Sequence, residues 1–207
     1  MIDEDRRKEI YNIAFKFLID NKISTIPVMV GKLCQKLGIE LVSLSDIIRN
    51  TKLPEHAVFA CWGNEDGVLQ ACGNAYKIAY NDKKPIKRQR FTIMEEIAHK
   101  LLDHISDERF NIFSQSYDEA TYQRYEEEAR MCAGLILCPP QFFYSTFYYK
   151  RISKELFKNV YNVSDHCAET RIGVLSKFEY EIKDCDLYRL LPKITLDKTY
   201  FPKADIT

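Results

Sequence analysis

The sequence has no excess of either charge. Lysine plus arginine number 30, and so do aspartate plus glutamate, in 207 residues. That balance removes the electrostatic footprint of a non-specific nucleic-acid or membrane-surface binder. No apolar run approaches the ~20 residues that a spanning helix needs. The first stretch, Met1 to Glu9, is charged where a signal peptide would be apolar. A cytoplasmic location is the expectation. Zinc-knuckle pairs are missing too: the seven cysteines, Cys34, Cys61, Cys72, Cys132, Cys138, Cys167 and Cys185, are odd in number and none has that spacing. Most have apolar neighbours, so reduced, buried thiols are expected rather than disulfides. There is no internal repeat, no low-complexity segment and no linker.

What is present is enough apolar material for a core, 46% of residues. Asp3 to Asp20 reads as a helix with Ile10, Ile13, Ala14, Phe17 and Leu18 on one face and acidic residues at its start. Pro27 suits the first turn of a second helix, with Val30, Leu33, Cys34 and Leu37 inward and Gly38 as its cap. Ile39 to Ser43 reads as a strand. Val58 to Trp62 and Val68 to Cys72 read as β runs joined by a hairpin loop over 63–67. Gly73-Asn74 then turns into a third run, Ala75 to Tyr80. After Pro85 the pattern is helical, near 87–104, 118–138, 153–160 and 164–183. The expectation is one α+β domain over residues 1–191, with a small, mostly antiparallel sheet early and several helices late. An irregular tail, 192–207, follows.

The helix after Pro85 is the informative one. Phe91, Met94, Glu95, Ala98, His99 and Leu102 form its inward stripe. Glu95 and His99 are polar members of that stripe and four apart, so their side chains stand one above the other. Buried, they need each other or a metal. Taken alone, the pair reads either as a hydrogen-bonded core contact or as the outer positions of the H-E-x-x-H zinc motif, with Glu96 as the inner glutamate. A metal would need a third ligand. The next helix has an apolar face of Tyr125, Ala129, Cys132, Ala133 and Ile136. Glu126 borders that face, Glu127 points to water, and Glu128 is intermediate.

His104 lies five residues after His99, about 140° round an ideal helix, and reads as a helix-end residue or a donor behind the site. His56 and His166 show no partner in the sequence. The basic run 83–90 reads as a solvated loop and helix start. Phe142-Phe143-Tyr144 and Phe147-Tyr148-Tyr149 read as core or cleft wall, or as a partner patch if exposed.

At these residues the chain resembles the ImmA/IrrE family of metallopeptidases, from about Ile10 to Leu175. The resemblance is carried by Ile26-Pro27-Val28, Leu37-Gly38-Ile39-Glu40-Leu41, the strand end Ile78-Ala79-Tyr80-Asn81, and Arg88-Gln89-Arg90-Phe91-Thr92 leading into Glu95 to His99. It continues through Glu126-Glu127-Glu128-Ala129-Arg130-Met131-Cys132-Ala133, Leu135-Ile136-Leu137-Cys138-Pro139 and Tyr161-Asn162-Val163-Ser164. It implies a zincin-like core, with Glu95, His99 and Glu126 as metal ligands, Glu128 as the other candidate for the third position, and Glu96 as general base on a water at the metal. The chain departs from the pattern twice: Glu95 stands where the family has its first histidine, and Arg130 where it has an asparagine. Two carboxylates and one imidazole make a harder site, suited to zinc but more tolerant of manganese or iron, with a less acidic water. By resemblance the protein is a metal-dependent endopeptidase. Its substrate would be a regulatory protein such as a DNA-binding repressor of a mobile element or stress response, bound as an added strand beside Ala75 to Tyr80. The chain has no helix-turn-helix of its own, so no direct nucleic-acid contact is expected. The alternative is a catalytically impaired relative that binds such a partner without cutting it.

Overall fold

A computed structural model describes residues 2–73, 75–110, 114–147 and 153–197. Helix α1, Glu4–Asp20, starts at Asp3, whose carboxylate accepts from the Arg6 amide and so satisfies one of the free donors of the first turn. Its inward stripe, Ile10, Tyr11, Ala14, Phe15, Phe17 and Leu18, is buried. Strand β1, Thr25–Ile26, comes next and Pro27 follows it in cis linkage. Helix α2, Val30–Lys36, begins three residues later than Pro27 suggests. Leu37 caps it from an exposed position rather than pointing inward. Gly38 takes the left-handed conformation (φ 66°) that lets the chain turn straight into strand β2, Ile39–Ser43.

Two expectations fail between β2 and the motif helix. Val58 to Trp62 is not a strand. Helices α3, Leu44–Thr51, and α4, Glu55–Trp62, occupy this stretch. Val58 and Trp62 are four apart, so the helix puts both on one face, against Leu44 and Ala79. Pro54 at the entry and Gly63 in a left-handed exit (φ 77°) close the helix at both ends. Residues 63–67 then form a turn from helix to strand, pinned by the Asn64 side chain, which accepts from the amides of Asp66 and Gly67. The hairpin lies further on, between β3, Gly67–Cys72, and β4, Ala75–Tyr80, where Cys72 faces Ala75 across the turn at Gly73.

The sheet is mixed rather than mostly antiparallel. Its order is β2-β4-β3, with β2 parallel and β3 antiparallel to β4. The two-helix connection between β2 and β3 leaves room for β4 to slot between them. Both edges of β4 are thereby taken, so a peptide cannot add beside Ala75 to Tyr80; among the described residues the outer strands of this sheet are β2 and β3.

Behind the sheet runs α5, Ile86–Leu101, packed on β3 and β4 and along α6, Glu119–Leu137; α1 lies on α6 in turn. The short α7, Pro140–Phe142, then α8, Lys154–Tyr161, α9, Asp165–Lys177, and α10, Glu179–Asp184, complete the helices. Phe143 and Tyr144 are buried in the core, as a core role for the aromatic cluster requires; Tyr148 and Tyr149 lie outside the described residues. The tail is not wholly irregular. Strand β5, Thr195–Leu196, pairs parallel with β1, and residues 198–207 lie outside the described set. All seven cysteines are free thiols: Cys34, Cys132, Cys138 and Cys167 are buried, Cys61 and Cys72 exposed, and Cys185 intermediate. Among the described residues no helix is long and apolar enough to cross a membrane.

Gly134 marks the tightest packing on α6. A Cβ there would lie 2.4 Å from Nη1 of the buried Arg171, which donates to the Met131 carbonyl. Gly134→Ala must push that guanidinium off its acceptor. Stability is expected to fall by about 1–3 kcal/mol, read as a lower midpoint in urea; an unchanged midpoint would show that Arg171 relaxes freely.

Candidate metal and peptidase site

Helix α5 points Glu95 and His99 into the molecule, with 7% and 2% of their surface exposed. Glu96, one residue on, is half-buried toward β3, and its Oε2 accepts from the Leu69 amide at 2.8 Å. Helix α6 starts at Asp118, which accepts from the amides of Ala120 and Thr121, and brings Glu126, Glu128 and Arg130 alongside. Glu127 is exposed, as its helix position implies.

Of the expected site residues, the structure brings His99 and Glu126 into contact. His99 Nε2 lies 3.3 Å from Glu126 Oε1. Glu95, Glu96 and Glu126 line one cleft of about 170 Å³, which also takes in Gly67, Thr92, Tyr122 and Arg130. Arg130 closes the cluster: its Nε donates to Glu95 Oε1 at 3.0 Å and its Nη2 to Glu126 Oε2 at 2.7 Å. Glu128 faces elsewhere. Its Oε2 accepts from Arg6 Nη2 at 2.6 Å and Nε at 3.0 Å, and lies 3.1 Å from His104 Nε2.

His104 sits behind His99, their Nδ1 atoms 3.0 Å apart. The angle expected on an ideal helix does not apply, because α5 ends at Leu101 and Asp103 turns left-handed (φ 58°), carrying His104 into a short 3-10 turn. The His104 ring is held flat on Tyr125, centroids 4.0 Å apart, and Tyr125 donates to Asp107. Arg6, Glu128, His104, His99, Glu126, Arg130 and Glu95 thus form one continuous polar chain. A carboxylate can only accept, so Glu128 orients the His104 ring, and His104 in turn orients His99.

Burial pushes the Glu96 carboxyl up to about 8, with the Glu95 and Glu126 charges adding to the rise and His99 opposing it. Burial also raises Glu95, helped by Glu126. For Glu126 burial works upward, but His99 and Arg130 outweigh it and hold the group below its usual value. The same balance raises His99, where the carboxylates overcome burial. Glu128 is held down to about 2: burial opposes ionisation, and His104 and Arg6 outweigh it.

The Glu128 shift has a pH consequence. A depressed carboxylate stabilises the fold fully above its ordinary value of 4.5 and loses that contribution as pH falls toward 2. Thermal midpoints of wild type and Glu128→Gln should therefore converge as pH drops from 5 to 2. Parallel curves over that range would mean that Glu128 carries no such contribution.

The donor types, two carboxylates and one imidazole, are ones that divalent ions take. At bond lengths of ~2.0–2.1 Å, two ligands of a tetrahedral ion stand roughly 3.3–3.4 Å apart, and His99 Nε2 and Glu126 Oε1 have that separation. Glu95 lines the cleft with Glu126 but is turned to Arg130. Among the described residues no three acidic, histidine or cysteine groups already converge as a metal cluster.

The other singled-out groups do not join the site. His56 and His166 are exposed, on α4 and α9. The basic run is spent on ion pairs, Lys83 with Glu55, Lys84 with Glu65 and Arg88 with Asp66, while buried Arg90 donates to the Val28 carbonyl. Arg6 and the Leu69 amide were not legible in advance. Nothing local in the sequence ties either to the motif helix.

Residues 34–172 match the Peptidase_M78 family model, described as the IrrE N-terminal-like domain. That segment is two thirds of the chain and contains every candidate site residue, so the chain belongs to this family of peptidases. Among curated proteins no match is found.

Proposed function

We propose that the protein is a metal-dependent endopeptidase that cuts a regulatory protein, such as a DNA-binding repressor of a mobile element or stress response, inside the cytoplasm. The observation that supports this most is that Glu126, which lies 3.3 Å from the buried His99, also lines a cleft with Glu95 and Glu96. Glu95, His99 and Glu126 would hold the ion. Zinc is expected, with manganese or iron admitted by the two carboxylates. When bound, such an ion polarises the scissile carbonyl and acidifies the attacking water.

The chain's own residues do the rest. Glu96 takes the proton of the attacking water and passes it to the leaving amine. His104 and Glu128 hold the His99 ring in place. An extended substrate would add along the outer edge of β3, which borders the cleft at Gly67, taking over the Gly67 amide and carbonyl from the Asn64 side chain that now holds both.

One observation favours a second reading, a relative that binds its partner without cutting it: Arg130 already bridges Glu95 and Glu126. The test is cleavage of a candidate repressor by wild type, its loss under a chelator, and its loss in Glu96→Gln. A wild-type protein that holds metal yet cuts no repressor encoded beside it would overturn the peptidase reading.

A further inference from the structure

We propose that Arg130 is a built-in counter-cation, which holds Glu95 and Glu126 and competes with a metal ion for their charge. The inference rests on the metal-site reading above and adds a competitor to it.

The geometry is that of a clamp. One guanidinium reaches Glu95 on α5 through Nε, at 3.0 Å, and Glu126 on α6 through Nη2, at 2.7 Å. The planar fork suits two carboxylates on facing helices. The side chains of both glutamates are largely buried, at 9% and 15% exposure, and each repels the other's charge. Leaving them unpaired would be costly. A divalent ion would draw on the same two negative charges. Guanidinium and ion therefore compete for the charge of Glu95, whose Oε1 accepts from Arg130.

The exchange is asymmetric in a useful way. The glutamates have little access to water, so some cation must stay with them. Arg130 is 52% exposed and can move its charge into solvent at little cost. His99 contacts the other oxygen of Glu126, Oε1, so the histidine side of the site stands ready while the Glu95 side is occupied. A metal must supply enough binding energy at Glu95 to displace the arginine, and measured affinity falls by that amount.

The test compares wild type, Arg130→Gln and Arg130→Lys, with folding checked by circular dichroism. Zinc and manganese affinities are measured by competition with a chromophoric chelator. Arg130→Gln should bind zinc about tenfold more tightly or better, because displacing the clamp no longer opposes binding. Arg130→Lys should fall between the two, since an ammonium keeps the charge but loses the fork. With chelator present, the melting temperature of Arg130→Gln should drop below wild type, and zinc should raise it by more than it raises wild type. Equal or weaker zinc binding by Arg130→Gln, with wild type binding well, would overturn the clamp and leave the metal site standing. No binding by any of the three folded proteins would overturn the metal site and the clamp with it.

Discussion

Glu96→Gln is expected to lower kcat/KM for cleavage by about 10²- to 10⁴-fold, the usual share of a general base, with fold and metal content unchanged. The variant is conservative where it needs to be. Glu96 accepts one hydrogen bond, from the Leu69 amide at 2.8 Å, and the glutamine carbonyl oxygen can accept it equally. The link between α5 and the edge strand β3 should therefore survive. What disappears is the ability to take a proton. A glutamine keeps the shape of the cleft and supplies no base, so loss of turnover with substrate binding intact is the signature to look for. Equal rates for the two proteins, with a chelator still abolishing both, would remove Glu96 from the chemistry and leave the metal in it.

His99→Ala is expected to lose the stoichiometric metal altogether, with apparent affinity reduced by ~100-fold or more. His99 is 2% exposed and stands between Glu126 on one side and His104 on the other. Its removal takes away the only nitrogen donor proposed for the ion. It also leaves Glu126 with Arg130 as its remaining partner among the contacts described above, so a lower melting temperature should accompany the loss of metal. Metal analysis of the purified variant separates this from the bland alternative. A His99→Ala protein that retains one ion per chain would mean that the Glu95–His99 pair is structural and that any ion sits elsewhere.

The parts of the site legible in the sequence are those governed by local periodicity. Glu95 and His99 share a face because they are four apart on a helix, and that spacing survives any tertiary context. Glu126 borders the apolar face of α6 for the same reason, and the structure brings it to His99. Sequence reading failed where the deciding contact is distant. Val58 to Trp62 has β-branched and aromatic residues suited to a strand, but the burial of Val58 and Trp62 against Leu44 and Ala79 makes it helical. The parallel pairing of β2 with β4 depends on how the intervening helices fold back, which no local pattern records. His104 was placed by extrapolating a helix that stops three residues earlier, at Leu101. Arg6 reaches Glu128 from 122 positions away, and nothing near either residue announces it.

That last contact bears on what counts as one folding unit. The family match begins at residue 34, yet α1 precedes it, lies along α6 with Ile10, Tyr11 and Ala14 fully buried, and delivers the guanidinium that ionises Glu128. A chain starting at Cys34 would keep every proposed ligand and lose the apolar cover of the helix that carries one of them. It would also leave Glu128 without its strongest cation. Family likeness tracks the reacting groups, whereas cooperative unfolding must involve a longer stretch. In hydrogen exchange, the amides of α1 and α6 should open together, so that the N-terminal helix behaves as part of the same cooperative unit as the helix carrying Glu126.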